Sequence, residues 1–478
     1  MDYNRQRRSE KLIPGITPVS SFGNLTKMKD KDFFLTLEGM VRESCQIENS
    51  LYEKYDVKRG LRNNDRTGVL VGLTNIGDVV GYEKKDGKIV AVPGKLFYRG
   101  IDIEDITHGF QKEGRHGFDE VVYLLITGNL PQKSELEDFS NHLASLRSLP
   151  DHFIKDMILS MKGRDVLNML ARSVLGLYTL DDKADDISLN NMIRQSLNLI
   201  AKFPAIIAYS YQALRHAYQE KTLSIRHIKK NLTTAENFLH LVKGGTSYSR
   251  LEADLIDLCL VLHAEHGGGN NSSFTMRVTS STETDIYSAV TSAIGSLKGP
   301  LHGGANLRVL DMMENIKKNI KNWKDEAEVE GYLFKILKKE ANDRSGKIYG
   351  VGHAVYTISD PRAKLLKEKA RELAIESGRC DEYDLYEMVE RITPEVFRKF
   401  KGDRVAKVIC INVDFYSGFV YSCIGIPKEL YTPLFAMARI AGWCAHRMEE
   451  LTFSAKRIIR PAFKNVNDRK DYIPVENR

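Results

Sequence analysis

Three histidines in this chain lie next to glycine, in short segments that could form loops facing a cleft. His266 lies in His-Ala-Glu-His-Gly-Gly-Gly-Asn-Asn, His302 in Gly-Pro-Leu-His-Gly-Gly-Ala-Asn, and His353 in Gly-Val-Gly-His-Ala-Val. Glycine has no Cβ, so it lets the backbone approach a ligand closely and adopt a positive φ. For one such pair, a helix that ends at glycine is the simpler explanation. Three pairs within one third of the chain instead favour a functional site.

Metal and phosphate sites are two alternatives that the same motifs favour less. His263 and His266 are spaced to share a helix face, but the sequence has no HExxH, and no PCxxC follows the His-Ala-Glu run as in zinc deaminases. The glycines after His266 lack the lysine of a Walker motif, and Gly350-Val-Gly follows no predicted strand. We therefore predict no metal site. A metal-dependent hydrolase stays an alternative that insensitivity to a chelator would exclude.

Two charged residues interrupt apolar segments and therefore need a partner or a function. Arg439 lies within the run from Leu434 to Trp443, where an unpaired guanidinium is costly, so we expect it to meet a carboxylate. That carboxylate is either a structural Asp or Glu, or belongs to a substrate. Asp414 follows Ile411-Asn-Val, a strand-like entry to a turn, where it is either an N-cap or a general base with a perturbed pKa.

The elements that must position these residues are predicted to be mostly helices. A β-rich patch covers 68–100, with a hairpin turn at Asp86-Gly87. Asp360-Pro-Arg362 predicts a helix start, with Asp as the cap and Pro in the first turn. No internal repeat and no strand-helix alternation is present. Helical patterns cover 33–55, 119–127, 165–177, 192–214 with a kink at Pro204, 251–263, 285–297, 306–318, 329–341, 361–377 and 429–450.

Composition narrows the class of protein. The 478 residues are 42% hydrophobic, enough for two or three domains or for one large body with a smaller lobe. Lys and Arg total 70 against 63 for Asp and Glu, and the two signs are interspersed, which favours anionic small molecules over nucleic acid as ligands.

The cysteines and the apolar segments bear on the compartment. Six cysteines form no CxxC pair and are expected to be reduced, buried thiols. The longest uncharged apolar stretch, 415–427, is too short to span a bilayer. The N-terminus carries Asp2 and Glu10 besides three arginines and has no apolar segment, unlike a signal or transit peptide. We therefore expect a cytoplasmic protein without a membrane partner.

Longer motifs occur in order between residues 98 and 461. They are Tyr98-Arg-Gly-Ile-Asp-Ile-Glu-Asp, the segments 118–131 and 263–270, Gly299-Pro-Leu-His-Gly-Gly-Ala-Asn, Gly352-His-Ala-Val, Asp360-Pro-Arg, Asn412-Val-Asp, and the helix around Arg439 that continues to Arg460-Pro461. With these motifs the sequence resembles the citrate synthase family, whose fold is found in dimers and hexamers, and it looks like a bacterial type.

The resemblance implies a mainly α, two-domain fold. The N-terminal polar segment would be 1–66, the large domain 67–302 together with 420–478, and the small mobile domain 303–419. It further implies a homodimer and an acyltransferase of the tricarboxylic acid cycle, which condenses acetyl-CoA with oxaloacetate and hydrolyses the citryl thioester. Neither a metal nor a bound cofactor is implied, and closure of the small domain would exclude water.

The family motifs also assign roles to residues. The methyl group of a thioester is a very weak acid, so a carboxylate base must act together with a donor at the carbonyl oxygen. By its match to the family, Asp414 is the base, His302 is the donor that stabilises the enol, and His353 polarises and protonates the ketone. The oxaloacetate ligands implied by the resemblance are Arg362, Arg439, Arg460 and His266, with Arg460 reaching across the two-fold axis into the partner's site.

One departure from the family pattern and two alternatives remain. Many members have a basic residue four positions after the equivalent of His353, where it helps to hold CoA phosphate, but here the position is Thr357. Lys364 and Lys367 are candidate substitutes. Because one methylene is discriminated by only about 1–3 kcal/mol of pocket shape, 2-methylcitrate synthase, which uses propionyl-CoA, is the alternative within the same chemistry. A catalytically silent binding protein on the same fold is the alternative from another class.

Overall fold

The computed structural model describes residues 30–65, 67–245, 247–402, 409–454 and 456–478, in two compact units, Met1–Val71 and Gly72–Arg478. The first unit contains the helices α1 (Asp30–Ser44) and α2 (Asn49–Lys54) and a 3₁₀ turn at Arg59–Leu61. The single helix predicted over 33–55 is therefore wrong in extent. It is interrupted after Ser44, where the Ser44 hydroxyl and the Gln46 amide donate to carbonyls of the last turn of α1.

The second unit begins with a small antiparallel sheet in the order β1 (Gly77–Lys85), β2 (Lys88–Tyr98) and β3 (Ile101–Asp102). Asp86 and Gly87 connect β1 to β2, and both have positive φ, 51° and 75°. A two-residue turn of this kind matches the twist of a hairpin, which confirms the predicted turn. The register pairs Gly77 with Tyr98 and Val79 with Leu96, and it shifts between Val80 and Tyr82.

In the part of this unit that the structure describes, the remaining named elements are helices, and the predicted mainly α fold is confirmed. They are α3 (Ile103–Lys112), α4 (Phe118–Thr127), α5 (Lys133–Leu146), a π-helix (Phe153–Leu159), α6 (Val166–Leu177), α7 (Leu189–Tyr218), α8 (Thr234–Val242), α9 (Arg250–His263), α10 (Asn271–Ser280), α11 (Ile286–Lys298), α12 (Ala305–Asn319), α13 (Glu326–Leu337), α14 (Pro361–Glu376), α15 (Cys380–Lys401), α16 (Val413–Ile424) and α17 (Tyr431–Thr452), with 3₁₀ turns at Tyr178–Leu180, Lys428–Leu430 and Val475–Asn477.

Capping residues determine several helix ends. Asp285 and Asp360 cap α11 and α14, and their carboxylates accept backbone N–H groups of the first turn, as predicted for Asp360. Ser249 and Glu252 form a capping box at the start of α9. Gly128, with φ 90°, ends α4. These local signals explain why most predicted helices lie within a few residues of the observed ones.

The central helix of the core is α17, which packs against α4, α7, α9, α10 and α11. Most of its residues are buried, including Arg439, Trp443 and His446. The neighbouring α7 is longer than predicted and continues through Pro204. Helix α16 packs against α12 and α14, and α14 also contacts α9 and β2. The division of this unit into a large and a small domain stays a prediction.

Two sequence expectations need correction. Asp414 lies in the first turn of α16, because Ile411 pairs with Val351 in an isolated bridge and Asn412 caps the helix. The strand-like interpretation of this segment is therefore wrong beyond Ile411. None of the six cysteines forms a disulfide, but Cys45 and Cys380 are exposed, so the expectation of buried thiols fails for these two. No helix in the described ranges is long and apolar enough to cross a membrane.

Candidate active site

The loop that carries His266 follows directly from the end of α9. His263 donates from Nδ1 to the Cys259 carbonyl over 2.8 Å, and burial lowers its pKa to about 3. Burial and the charge of Arg362 also hold the pKa of His266 well below its ordinary value, so both rings are neutral at pH 7. The Nε2 atom of His266 is buried and has no hydrogen-bond partner among the described residues. This nitrogen is therefore open to a ligand.

Glu265, next to His266, is completely buried and anchors this loop. Its Oε1 atom accepts the Gly267 N–H and lies 2.9 Å from His446 Nε2. On the other side of the ring, Arg277 donates to His446 Nδ1 from Nη2 (2.8 Å) and Nε (3.1 Å). Because Nδ1 accepts, the proton of neutral His446 lies on Nε2 and is donated to Glu265. Glu449 and Glu450 pair with Arg277 and complete the buried chain.

Arg439 faces the same loop from α17. It has no exposed surface, and its Nε donates to the His263 carbonyl over 2.7 Å. Neither Nη1 nor Nη2 has a partner in the described part of the chain, and no carboxylate there pairs with the guanidinium, so the structural ion pair is not found. Its guanidinium lies 4.7 Å from the centre of the Phe435 ring. Burial lowers its pKa to about 10, and the charge of Glu265 opposes this.

Arg362, by contrast, meets a structural carboxylate. Asp360 caps α14 and accepts from Arg362 Nη2 (2.7 Å) and Nε (3.0 Å). Burial alone would lower the pKa of Arg362, but the charge of Asp360 outweighs it and raises the pKa. Asp360 also accepts the Val413 N–H at the start of α16. The pair therefore connects the starts of α14 and α16.

His353 belongs to a loop in which aromatic rings stack. Its Nδ1 atom accepts the backbone N–H groups of Val355 (3.0 Å) and Tyr356 (3.1 Å), so a neutral ring carries its proton on Nε2. The ring lies 4.6 Å from that of Tyr356, stacked, and 5.1 Å from that of His266, edge to face. Tyr356 also contacts the His266 ring at 5.5 Å and lies beneath the Arg362 guanidinium at 5.8 Å. Tyr356 is therefore the common neighbour of three predicted site residues.

His302 lies in the turn between α11 and α12. Its Nε2 atom is 3.1 Å from Ser272 Oγ, which also accepts from Trp443 Nε1 over 3.1 Å. The Ser272 hydroxyl has one proton and lies 3.1 Å from Asn270 Oδ1 as well. Burial, with the charge of Arg439, lowers the pKa of His302 to about 4. His302 is therefore a neutral imidazole at pH 7.

Asp414 is attached through the cap of its helix to the loop of His353. Asn412 accepts the Asp414 N–H over 3.1 Å, and its amide donates to the Gly352 carbonyl over 3.0 Å. Because Asn412 is the cap, the N-cap interpretation of Asp414 is wrong. Burial raises the pKa of Asp414 to about 6, although Arg362 and Arg439 act in the opposite direction. This carboxylate is thus basic enough to accept a proton near neutral pH.

Arg460 is not brought to these residues within one chain. It lies in the irregular segment after α17, where its side chain is exposed, and nothing in the described part of the same chain pairs with it. The neighbouring Ile459 donates from its backbone N–H to Ser281 Oγ over 3.1 Å. A role for Arg460 in this site therefore requires a second subunit, as the resemblance implies.

Comparison with known proteins identifies the family. The sequence profile "Citrate synthase, C-terminal domain" matches residues 64–462. The chain belongs to the citrate synthase family. It is thus related to acyltransferases, and the citrate synthase of Haloferax volcanii is 35% identical over 431 residues, 88% of this chain and 99% of the relative. The citrate synthase of Deinococcus radiodurans is 37% identical over 387 residues, 80% of this chain and 93% of the relative.

Other family members differ in substrate or provide solved structures. A 2-methylcitrate synthase of Shewanella oneidensis is 34% identical over 392 residues, 81% of this chain and 94% of the relative. The citrate synthase of Thermoplasma acidophilum, solved as a ternary complex with carboxymethyl coenzyme A and oxaloacetate, is 26% identical with a TM-score of 0.71, covering 88% of this chain and 99% of that chain. The citrate synthase of Pyrobaculum aerophilum gives 30% identity and a TM-score of 0.69, covering 86% and 94%.

In this citrate synthase family member, several predicted site residues share an electrostatic interaction with Arg439. Its charge acts on the pKa values of His266, His302 and Asp414, so all three lie within its electrostatic reach. Arg362 acts on His266 and Asp414, and His353 contacts His266 directly. The structure therefore brings together six of the seven residues that the family motifs indicate, all except Arg460.

Sequence reasoning missed four residues that support these six: Tyr356, Glu265, His446 and Ser272. Tyr356 lies three positions after His353, close enough to have been considered. His446 lies seven positions after Arg439 on α17, two turns along the same helix face, which is a signal that spacing could have supplied. Glu265 was considered only as part of the His-Ala-Glu run, which was judged not to be a metal motif. Among the described residues, no group of three or more His, Cys, Asp or Glu is placed to hold a metal ion.

The position that departs from the citrate synthase pattern faces inwards. Thr357 Oγ1 is buried and has no partner in the described ranges. The two candidate substitutes already form ion pairs, Lys364 with Glu104 and Lys367 with Glu387 and Glu390. A contact of either lysine with CoA phosphate would therefore require exchange of a carboxylate partner.

Proposed function

We propose that the protein is a citrate synthase, which condenses acetyl-CoA with oxaloacetate and hydrolyses the citryl thioester to citrate and CoA. The observation that carries the proposal is the environment of Arg439. Its guanidinium is buried, two of its nitrogens have no partner in the described part of the chain, and its charge acts on Asp414, His266 and His302. A buried, unpaired fork of donors suits a carboxylate of a small anionic substrate.

Enolisation of acetyl-CoA is assigned to Asp414 and His302. A carboxylate with a pKa of about 6 is a stronger base than an ordinary aspartate and is still ionised at pH 7. It takes a proton from the methyl carbon while neutral His302 donates a hydrogen bond to the thioester oxygen, so little charge accumulates on the enolate. This role requires the imidazole proton on Nδ1, with the single Ser272 proton donated to His302 Nε2 instead of to Asn270 Oδ1.

The condensation step is assigned to His353. The enol carbon attacks the ketone carbon of oxaloacetate, and the ketone oxygen takes up a proton as the new carbon–carbon bond forms. Backbone donors occupy Nδ1 of His353, so its Nε2–H is the proton to be delivered. Water then cleaves the citryl thioester, releasing CoA as a thiol and citrate as a carboxylate.

Oxaloacetate binding is assigned to the arginines and to His266. Arg439 and Arg362 supply positive charge from two helices, and His266 presents a buried Nε2 within the influence of both charges. Arg460 of the partner subunit completes the site in the proposed homodimer, where each site draws on both chains. The proposed reaction needs neither a metal nor a bound cofactor, and it belongs to the tricarboxylic acid cycle in the cytoplasm, without a nucleic-acid or membrane partner.

Release of free thiol that depends on oxaloacetate tests the proposal, because simple hydrolysis of acetyl-CoA would release CoA without oxaloacetate. Purified protein with oxaloacetate and acetyl-CoA should release CoA, and a chelator should leave the rate unchanged. Propionyl-CoA in parallel tests 2-methylcitrate synthesis, which the Shewanella oneidensis relative supports as the second candidate. A higher kcat/KM with propionyl-CoA would favour that candidate. No release with either thioester would contradict both.

A further inference from the structure

One face of the β1–β2 hairpin packs directly on both loops that carry histidines of the site. Along β1, Gly77, Val79 and Gly81 contact these loops, and Gly81 lies where the register shifts between Val80 and Tyr82. A Cβ on Gly77 would lie 2.8 Å from Glu265 Oε1, and one on Gly267 would lie 3.1 Å from Val79 Cγ2. A Cβ on Gly81 would lie 2.6 Å from the Val355 carbonyl oxygen. One strand thus passes from the His266 loop to the His353 loop.

The second strand continues the same face. Gly94, Leu96 and Tyr98 are buried and alternate with less buried residues along β2. The Gly94 N–H donates to Ser359 Oγ over 3.1 Å, and a Cβ on Gly94 would lie 2.6 Å from the Tyr356 ring and collide with the Ser359 carbonyl. At the other end, the Tyr98 hydroxyl lies 3.1 Å from the Glu265 carbonyl oxygen. The hairpin therefore touches both loops through both strands.

Glycine occupies the points of closest approach because no other residue fits there. The contacts of Gly81 are backbone atoms of Val355 and Tyr356, which cannot rotate away as the end of a side chain can. Gly81 has no positive φ, so its conformation alone would admit alanine. Although the register shifts at Gly81, its φ does not require glycine, so the close approach of the His353 loop is the reason that a side chain does not fit there.

The two loops are nearly ninety positions apart in sequence, yet their imidazoles lie 5.1 Å apart. We propose that the inner face of the hairpin, formed by Gly77, Val79, Gly81, Gly94, Leu96 and Tyr98, positions His353 against His266, with Gly81 and Tyr356 as positioning residues. Tyr356 links the hairpin to His353, because its ring packs against Gly94 and also stacks on the His353 ring. This inference rests on the proposed role of His353 at the ketone.

The test compares two Gly→Ala substitutions in the same hairpin. Gly81→Ala should displace the His353 loop and lower kcat/KM for oxaloacetate by about 100-fold, the cost of misplacing a reacting group by about 1 Å. Gly87→Ala is the control, because nothing lies within 4 Å of a Cβ there, while its φ of 75° makes alanine strained. It should lower Tm by roughly 1–2 °C and change kcat/KM by no more than about twofold.

A second measurement does not depend on activity. In protein labelled with ¹³C at histidine Cε1, the His353 signal, assigned with His353→Ala, should shift in Gly81→Ala and stay in place in Gly87→Ala. If Gly81→Ala does not fold, Val79→Ala removes the methyl next to Gly267 without adding atoms, and the His266 signal should then shift.

The outcomes separate this inference from the proposed function. A wild-type protein that releases no CoA contradicts the function, and the histidine spectra still decide the positioning. Normal CoA release together with unchanged kcat/KM and unchanged spectra in Gly81→Ala overturns the positioning alone. Equal losses of kcat/KM in Gly81→Ala and Gly87→Ala also overturn it, because the effect would then be one of stability.

Discussion

His446 donates a hydrogen bond to Glu265 over 2.9 Å, and neither side chain has any exposed surface. Burial alone would raise the pKa of the Glu265 carboxyl, but its interaction with His446, which includes this hydrogen bond, and the charge of Arg439 outweigh burial and lower the pKa. The pair joins α17, which carries Arg439, to the loop that carries His266. One buried contact thus connects two distant segments that carry proposed oxaloacetate ligands, Arg439 and His266.

Removal of His446 should be costly for the fold. In His446→Leu, the Glu265 carboxylate and the Arg277 guanidinium each lose a buried partner, so the free energy of unfolding should fall by about 3–5 kcal/mol in urea denaturation. His152→Leu, at an exposed position, is the control and should change it by less than about 0.5 kcal/mol. Similar small changes in both variants would show that the buried chain contributes little.

Asp414→Asn keeps the shape of the proposed base and removes its basicity. We expect kcat to fall by about 10²–10⁴-fold, while oxaloacetate still raises Tm because Arg439 and His266 are unchanged. The matched control is Asp257→Asn on α9. Asp257 is also buried with a pKa raised to about 6, but it accepts the Gly117 and Phe118 N–H groups outside the site. Asp257→Asn should lower the stability of the fold and leave kcat within about threefold. A large loss of kcat in this control would show that the effect of Asp414→Asn is not specific to the proposed base.

The raised pKa of Asp414 also predicts how stability depends on pH. Its pKa rises from 3.8 to about 6 on folding, so the folded chain binds this proton more tightly than the unfolded chain. The contribution of this group to stability is therefore complete below pH 3.8 and lost as the pH rises through 6. Relative to wild type, Asp414→Asn should gain about 1–3 kcal/mol between pH 4 and pH 7. A difference that stays constant over that interval is the contrary result.

Arg439→Leu separates binding from folding. Oxaloacetate affinity should fall roughly 100-fold, measured as KM and by the Tm shift with ligand, while Tm without ligand should hold or rise because an unpaired buried charge is removed. Arg447→Leu is the matched control on the same helix. Arg447 is just as buried, but it donates to Ser280 Oγ and the Thr284 carbonyl, so its loss should lower Tm and spare the KM. An Arg439→Leu variant affected in stability alone would be a structural residue.

Mixing two inactive variants tests the composite site. When His302→Ala and Arg460→Leu subunits exchange, half of the dimers are mixed, and each of these has one site with both defects and one site with none. Activity should therefore return to about a quarter of normal. Neither variant alone should recover after the same treatment. If Arg460 acted within its own chain, every site would keep a defect and no activity would return.

Local signals in the sequence predicted much of this fold, and non-local contacts account for what was missed. The Asp86-Gly87 turn and the Asp360 cap depend on residues within three positions, so they can be recognised directly. The strand-like segment before Asp414 starts a helix because Asn412 caps it and Ile411 pairs with Val351, sixty residues away.

The candidate site likewise has a part that local motifs predicted and a part that depends on non-local contacts. The family motifs indicated its candidate reactive residues, because each motif carries its residue within a few positions. The Glu265–His446 contact spans 181 residues, and nothing near either residue predicts it. The packing of the hairpin on the two histidine loops is equally non-local.

The two exposed cysteines have a practical consequence for labelling. Cys45 lies in the first compact unit and Cys380 at the start of α15 in the second, while Cys259 and Cys444 are buried. Maleimide dyes should therefore react first at one native thiol in each unit, which would allow the distance between the units to be measured by energy transfer without an introduced cysteine. The same thiols would give a background with disulfide reagents when CoA release is followed. Cys45→Ser with Cys380→Ser is thus the preferred background for that assay.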